Sequence, residues 1–354
     1  MCHSGLSGRQ KTVSTTTRTF RFHEAGGPEK LQLENLPARD PGPGEVQVRV
    51  QALSLNRADL VWLANSYVET PRFPARIGYE IAGSVETLGP GVTDFRNGDR
   101  VSSIPAFSIS QYAHFAETTI IPARSLIHTP QNFGPAQAAT FTFAYFTGYF
   151  ALYELARLQP YQTILITAGA STTGLAALVL AKKIGATAIA TTRTRSKAAA
   201  LLAAGTDHVI FTEEEDLVER ITNITERRGA DVVYDCVAGG QSQKLALATA
   251  VRGHWIVYGL MDLSPVPFAW LSLFTRSVRF DVYKVFDFSG NPSLGLPGDQ
   301  EAFARACRFI LSGAADGSLP PVPIDREFRG LESLPDAMRY MSTSKAAGKI
   351  VVIL

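Results

Sequence analysis

The run Gly169-Ala170-Ser171-Thr172-Thr173-Gly174 follows directly on the apolar stretch Thr163-Ile164-Leu165-Ile166-Thr167 and leads into an alanine- and leucine-rich segment. That order predicts a strand, a tight turn and a helix. The helix start offers unpaired N–H groups and the positive end of its dipole to a pyrophosphate. The spacing reads G-x-S-x-x-G, with Ser171 where a dinucleotide fingerprint has its second glycine, and Gly174 lets the helix approach the strand. Ala170, Ser171, Thr172, Thr173 and Gly174 are therefore the candidate phosphate cradle. The competing reading is a strand-to-helix turn with no ligand.

About 20 residues beyond the turn, an NAD site places a carboxylate against the ribose hydroxyls. Here the chain reads Thr191-Thr192-Arg193-Thr194-Arg195-Ser196-Lys197, without an acid. Arg193, with Arg195 and Lys197 nearby, matches the 2′-phosphate of NADPH instead. One charge-assisted hydrogen bond of roughly 1.5–3 kcal/mol would give a preference of roughly ten- to a hundredfold. The alternative, above all for Lys197, is a solvated cation at a helix start. Ligands lie outside the carboxyl ends of parallel strands, which adds Val237, in Val237-Ala238-Gly239, and the pair Tyr258-Gly259. Those glycine loops also read as ordinary strand-ending turns.

The elements that must position these residues are legible from pattern. Residues 20–138 show short alternating runs broken by Gly and Pro, a β-rich region. Residues 139–286 alternate apolar strands with Ala/Leu helices, as βαβ units of a parallel sheet do. Residues 287–354 hold helices around 301–311 and 334–341 and a terminal strand, too few elements for a third core, so this tail is expected to return to the first region. The fold class expected is α/β, with a doubly wound parallel-sheet domain inserted into a β-rich one. Residues 1–19, rich in Ser and Thr with Arg9, Lys11 and Arg18, are expected to be a disordered extension; the weaker alternative is a mitochondrial targeting segment.

Composition bounds the function. With 34 Lys plus Arg against 32 Asp plus Glu, the net charge of +2 argues against a nucleic-acid backbone reader. A hydrophobic share of 45% with 19% charged residues is enough to fill a packed core. At 354 residues the chain exceeds the size at which one core usually stops growing, so two domains are expected. The longest apolar stretch, residues 164–181, is interrupted by Gly169, Ser171, Thr172, Thr173 and Gly174, which argues against a membrane span. A cytoplasmic location is expected. Cys2, Cys236 and Cys307 are too scattered for a disulfide framework or a Cys-type zinc site.

Together the motifs LNRADL (from Leu55), GYEIAGSVETLGPGV (from Gly78), GDRV, AYFTGYFAL (from Ala144), ITAGASTTGLAA, TTRT, GADVVYDCV and GKIVV resemble the zinc-independent branch of the medium-chain dehydrogenase/reductase superfamily. The likeness is to its quinone oxidoreductase-like and alkene (enoyl) reductase-like enzymes and runs over residues 20–354. It implies a GroES-like catalytic domain with a Rossmann domain inserted, NADPH in the cleft, and a homodimer through an edge strand at residues 278–283. It also implies that Thr147 and Lys349 approach the cofactor. Lys349 also reads as surface charge. The zinc-dependent relatives carry Cys near the position of Arg57 or Ala58 and His directly before the acid of G-H-E; this chain has no cysteine at the first and Tyr79 at the second. No metal site is expected, since Glu80 alone cannot hold zinc in a tetrahedral site.

Without a Lewis acid, the chemistry expected is hydride transfer from NADPH to a quinone or an α,β-unsaturated carbonyl, with charge collecting on oxygen. Tyr79, neutral at pH 7, can donate to that oxygen or simply fill the space of a metal ligand. Asn56 and Tyr67 are the other candidate catalytic donors, and Asp59 is read as structural. The aromatics around Thr147 read as core, with Phe143 or Tyr145 as possible pocket lining. The apolar segment 265–274, with Trp270, reads as a lid or a dimer contact for a large hydrophobic substrate. Two alternatives stand beside this: a tailoring reductase of an unsaturated polyketide- or terpenoid-like intermediate, and a non-catalytic NADPH-binding protein with the same fold.

Overall fold

The structure is a computed structural model and describes residues 16–354. Of the expected extension, residues 1–15 lie outside the described residues, as does Cys2. Thr16 already begins a strand, because its alternating run TTRTFRF pairs antiparallel with residues 32–37.

The first strands are β1 (Thr16–Phe22), β2 (Gln32–Pro37), β3 (Glu45–Ser54), β4 (Ala75–Arg76), β5 (Glu80–Leu88), β6 (Arg100–Ser103), β7 (Thr118–Pro122) and β8 (Leu126–His128). The next are β9 (Thr163–Ile166), β10 (Thr187–Thr192), β11 (His208–Phe211), β12 (Ala230–Asp235), β13 (Thr249–Val257) and β14 (Arg279–Val282). These six make one sheet in the order β11-β10-β9-β12-β13-β14, with every pairing parallel. The order runs outward both ways from β9, the arrangement of a Rossmann sheet, whose ligand crevice opens where the order reverses. β9 is TILI, buried at every position, as a strand covered by helices on both faces must be.

The last strands, β15 (Ile324–Arg329) and β16 (Lys349–Ile353), join β3, β5, β6, β7 and β8 in a seven-stranded sheet of order β15-β16-β3-β5-β6-β8, with β7 also on β3. Thus β16 lies between β15 and β3, with Val351 opposite Ser54. Both tail strands therefore lie in the sheet that holds β3, β5, β6, β7 and β8. β1, β2 and β4 form a small separate sheet.

Helix boundaries follow local chemistry. Gly185, at φ 89°, closes the helix Thr172–Ile184 in the left-handed region that glycine tolerates. Asp216 opens Leu217–Ile224 by accepting from Val218 N and Glu219 N. Helix Gln300–Asp316 is longer at both ends than the expected 301–311, with Asp299 as its cap and Gly317 as its stop. The aromatic run after residue 140 is core as expected: Phe141, Phe146 and Phe150 are all buried, and the last helical turns, Phe150–Leu155, widen to π geometry. Among the described residues no helix is long and apolar enough to cross a membrane.

Candidate functional site

The glycine turn connects β9 to the helix Thr172–Ile184. Ser171 caps that helix, its Oγ accepting from Gly174 N at 3.2 Å. The backbone N–H groups of Thr172 and Thr173 have no acceptor among the described residues, as first-turn amides do not. A Cβ on Gly174 would lie 2.5 Å from Gly169 O, and one on Gly169 would lie 2.7 Å from Ala190 Cβ. Both glycines are therefore fixed by close packing of helix on strand. Thr173 Oγ1 sits 2.9 Å from Tyr258 OH, and the Tyr258 ring stacks on Tyr234 at 3.9 Å. Thr172 Oγ1 donates to Gly348 O at 3.5 Å, so the tail that leads into β16 passes the same turn. Ala170 is buried, while Ser171, Thr172, Thr173 and Tyr258 are each partly exposed. The structure thus brings Ala170 to Gly174 and Tyr258 together.

Asp235, at the end of β12, organises the neighbouring loop and was not singled out from the sequence. Fully buried, it accepts from Thr167 Oγ1 at 2.7 Å, Trp255 Nε1 at 3.2 Å, Val237 N at 2.9 Å and Ala238 N at 3.2 Å. The carboxylate holds the ends of β9 and β12 at a common height. The only signal in the sequence was an acid ending an otherwise apolar strand. Gly259 packs on Cys236, where a Cβ would come within 3.2 Å of Cys236 Cβ, so its small size serves packing.

The three cations after β10 behave differently. Arg193 is exposed, and its side chain has no partner among the described residues. Arg195 is engaged elsewhere, paired with Glu214 at 2.8 Å and lying over the Phe211 ring at 4.6 Å. Lys197 is neither solvated nor free: half-buried, it donates Nζ to Ser344 O at 2.9 Å and Ala346 O at 2.7 Å. Burial foremost, then the Arg193 charge, holds its ammonium below the ordinary lysine value. A helix start with two open amides beside its Ser171 cap, and a free guanidinium where an acid would contact a ribose, fit a dinucleotide with an added 2′-phosphate.

On the other wall, Tyr79 is 1% exposed and its hydroxyl has no partner among the described residues. Its ring is packed by Tyr67 at 5.9 Å, Phe107 at 5.5 Å, Phe143 at 5.7 Å and Phe286 at 6.3 Å. Burial pushes both phenols above the usual tyrosine value, so both are neutral donors. Tyr67 comes from the loop after helix Arg57–Leu63, tethered by Glu69, which accepts from Ser110 Oγ at 2.9 Å and Asn291 Nδ2 at 2.8 Å.

Lys349 departs from both readings of it. Its side chain is 0% exposed and ion-paired with Glu80, and Nζ also donates to Asn56 Oδ1 at 2.8 Å and Leu55 O at 3.3 Å. All three ammonium donors are spent inside the seven-stranded sheet, which leaves none for a cofactor and removes the surface reading. Asn56 is drawn into the same cluster, with Nδ2 donating to Glu80 Oε2 at 3.2 Å, so a single N–H of its amide remains free. Glu80 further accepts from Ser54 Oγ at 3.0 Å, Thr142 Oγ1 at 3.2 Å and Phe143 N at 3.1 Å. Asp59, fully buried, accepts from Asn56 N at 2.7 Å while its Oδ1 stays unpartnered. Thr147 turns its hydroxyl back to Phe143 O at 2.7 Å, and its carbonyl accepts from Tyr283 OH at 3.2 Å.

The chain is similar to known proteins over most of its length. The family profile described as zinc-binding dehydrogenase matches residues 172–294, and that described as alcohol dehydrogenase GroES-like domain matches residues 42–131. The synaptic vesicle membrane protein VAT-1 homolog of Rattus norvegicus is 30% identical over 338 residues, 93% of this chain and 82% of the relative. The phthioceranic/hydroxyphthioceranic acid synthase of Mycobacterium tuberculosis is 31% identical over 335 residues, 94% of this chain but 15% of the synthase. Among solved structures, Escherichia coli quinone oxidoreductase complexed with NADPH superimposes with TM-score 0.84 at 27% identity, over 95% of this chain and 100% of that one.

Proposed function

The chain belongs to the medium-chain dehydrogenase/reductase family, among its quinone oxidoreductase-like members, and from that membership we propose a metal-free, NADPH-dependent reductase of quinones or α,β-unsaturated carbonyl compounds. The observation that carries the reading is Arg193, free and exposed where an acid would select NADH. NADPH, when bound, supplies the hydride, and a conjugated acceptor takes the resulting charge on oxygen.

The chain's part is to bind, orient and donate. The amides of Thr172 and Thr173 and the Ser171 hydroxyl would hold the pyrophosphate, Arg193 and Lys197 the 2′-phosphate, with Thr147, Val237, Tyr258 and Gly259 as the further residues toward the cofactor. Tyr67 and Tyr79, kept protonated by burial, donate to the developing oxyanion, and the remaining Asn56 N–H is a third candidate donor. Catalysis without zinc follows from the donor set: Tyr79 stands in place of an imidazole, and both Glu80 oxygens are already taken by neighbours. The likeness to one stretch of the mycobacterial synthase favours a second reading, reduction of an unsaturated biosynthetic intermediate. A homodimer through β14 belongs to the proposal, since Val282 on that edge strand and Trp270, Leu271 and Phe274 beside it are all exposed.

The test is NADPH oxidation, followed by absorbance, with a panel of quinones and enones in the presence and absence of a chelator. Turnover that survives chelation is expected. Tight NADPH binding without oxidation by any acceptor would favour a non-catalytic binding protein, and activity abolished by chelation would sink the metal-free mechanism.

A further inference from the structure

Two positive side chains, Arg57 and Lys197, bind one turn of the C-terminal tail, a third, Arg193, lies near Lys197, and none of the three is ion-paired with an acid among the described residues. Arg57, first residue of the helix after β3, donates Nη2 to Ser344 Oγ at 3.1 Å. Lys197, after β10 of the parallel sheet, donates Nζ to the carbonyls of Ser344 and Ala346. Arg193 lies close enough for its charge, like that of Arg57, to depress the Lys197 ammonium, and burial holds Arg57 below its ordinary value as well. Asp325, which favours the Lys197 charge, is occupied by Tyr340 OH at 2.8 Å and Ala347 N at 2.9 Å. Ser344 itself sits at φ 56°, a left-handed backbone that is uncommon for serine. Neutral oxygens on a strained turn are a poor match for partly buried cations.

We propose that the Ser344 turn stands in for a phosphate: the 2′-phosphate of NADPH enters between Arg57, Lys197 and Arg193, takes over the bonds now made by Ser344 and Ala346, and makes Arg57 a determinant of cofactor choice from the far side of the cleft. The proposal rests on the NADPH reading above and adds a residue that the glycine turn and β10 do not supply. A dianion replaces neutral acceptors at Arg57 and Lys197 and gives Arg193 a partner, so that residues of the GroES-like and parallel-sheet regions share one charged ligand when the 2′-phosphate is present.

The experiment is calorimetric titration of the full-length protein with NADPH, NADH, adenosine 2′,5′-bisphosphate and 5′-AMP, for the wild type, Arg57→Ala and Arg57→Lys. Hydrogen exchange over residues 340–350 is read alongside. Arg57→Ala is expected to lose about tenfold or more in affinity for NADPH and for the bisphosphate, while NADH and 5′-AMP stay within about twofold. Arg57→Lys should recover part of the loss. Exchange at residues 344–347 should change with NADPH and not with NADH. A wild type that prefers NADPH, with Arg57→Ala weakening both dinucleotides equally, overturns this proposal and leaves the NADPH reading intact. Equal affinity of the wild type for the two dinucleotides overturns the NADPH reading and this proposal with it. Should Arg57→Ala fail to fold, an identical exchange response to both dinucleotides in the wild type decides against the proposal.

Discussion

Lys349 and Glu80 form an ion pair with neither side chain exposed, joining β16 to β5. Breaking such a pair strands one charge in the interior, which costs about 3–5 kcal/mol. Lys349→Met should therefore lower unfolding stability by that order in urea denaturation. Because Asn56 Oδ1 loses its donor too, the variant should also show a reduced kcat. A loss below about 1 kcal/mol would mean that water reaches the pair.

Asp59 carries a pH signature. Burial foremost pushes its carboxyl up to about 7 from an ordinary value of 3.8. The folded state thus binds a proton that the unfolded state has already released, so stability is greatest below the unfolded value and falls as pH rises through about 7. Asp59→Asn keeps an acceptor for Asn56 N and removes the titration. Denaturation midpoints measured from pH 4 to 8 should decline in the wild type and flatten in the variant; parallel curves would show that Asp59 does not titrate in this range.

Gly174→Ala tests the glycine turn. The added methyl would sit 2.5 Å from the Gly169 carbonyl, which is backbone and cannot rotate aside. Overpacking of this kind costs about 1–3 kcal/mol. The helix start should also shift off the strand, and NADPH affinity measured by fluorescence should drop by an order of magnitude or more. Unchanged affinity would place the pyrophosphate elsewhere.

The Tyr79 hydroxyl is buried without a partner, so Tyr79→Phe removes an unsatisfied group and should leave stability equal or raised by up to about 1 kcal/mol. If the phenol donates to substrate oxygen, kcat should fall at least about tenfold while the melting temperature holds. A fully active, equally stable variant leaves Tyr79 as packing and shifts the donor role to Tyr67.

The parts of the site that the sequence revealed are those whose chemistry is local. Ser171 and Gly174 lie within one turn of each other, and the strand-helix alternation that orders β9 to β14 repeats at short range. Arg193 was legible because its position is counted from that turn. What stayed hidden depends on partners far along the chain. Nothing near Lys349 signals Glu80, and nothing near Lys197 announces the carbonyls of Ser344 and Ala346. Asp235 looked like one more strand residue until Thr167 and Trp255 were seen to converge on it. Charge type is readable from sequence, but whether a cation is free, paired with Glu214 like Arg195, or buried depends on the three-dimensional closure of the fold.

The placement of β16 between β15 and β3 bears on the order in which a ribosome can deliver this protein. All six strands of the parallel sheet emerge as one contiguous stretch and can condense while synthesis continues. The stretch Ala52–Ser54 of β3, beyond the part paired with β7, must wait for residues 349–353 before it is covered. Throughout that interval the Glu80 carboxylate has no lysine, and a short unpaired stretch of sheet edge is open to other chains. Truncation just before β16 should consequently yield a product that aggregates through the bare Ala52–Ser54 stretch and the unpaired β15 while its parallel sheet is already formed.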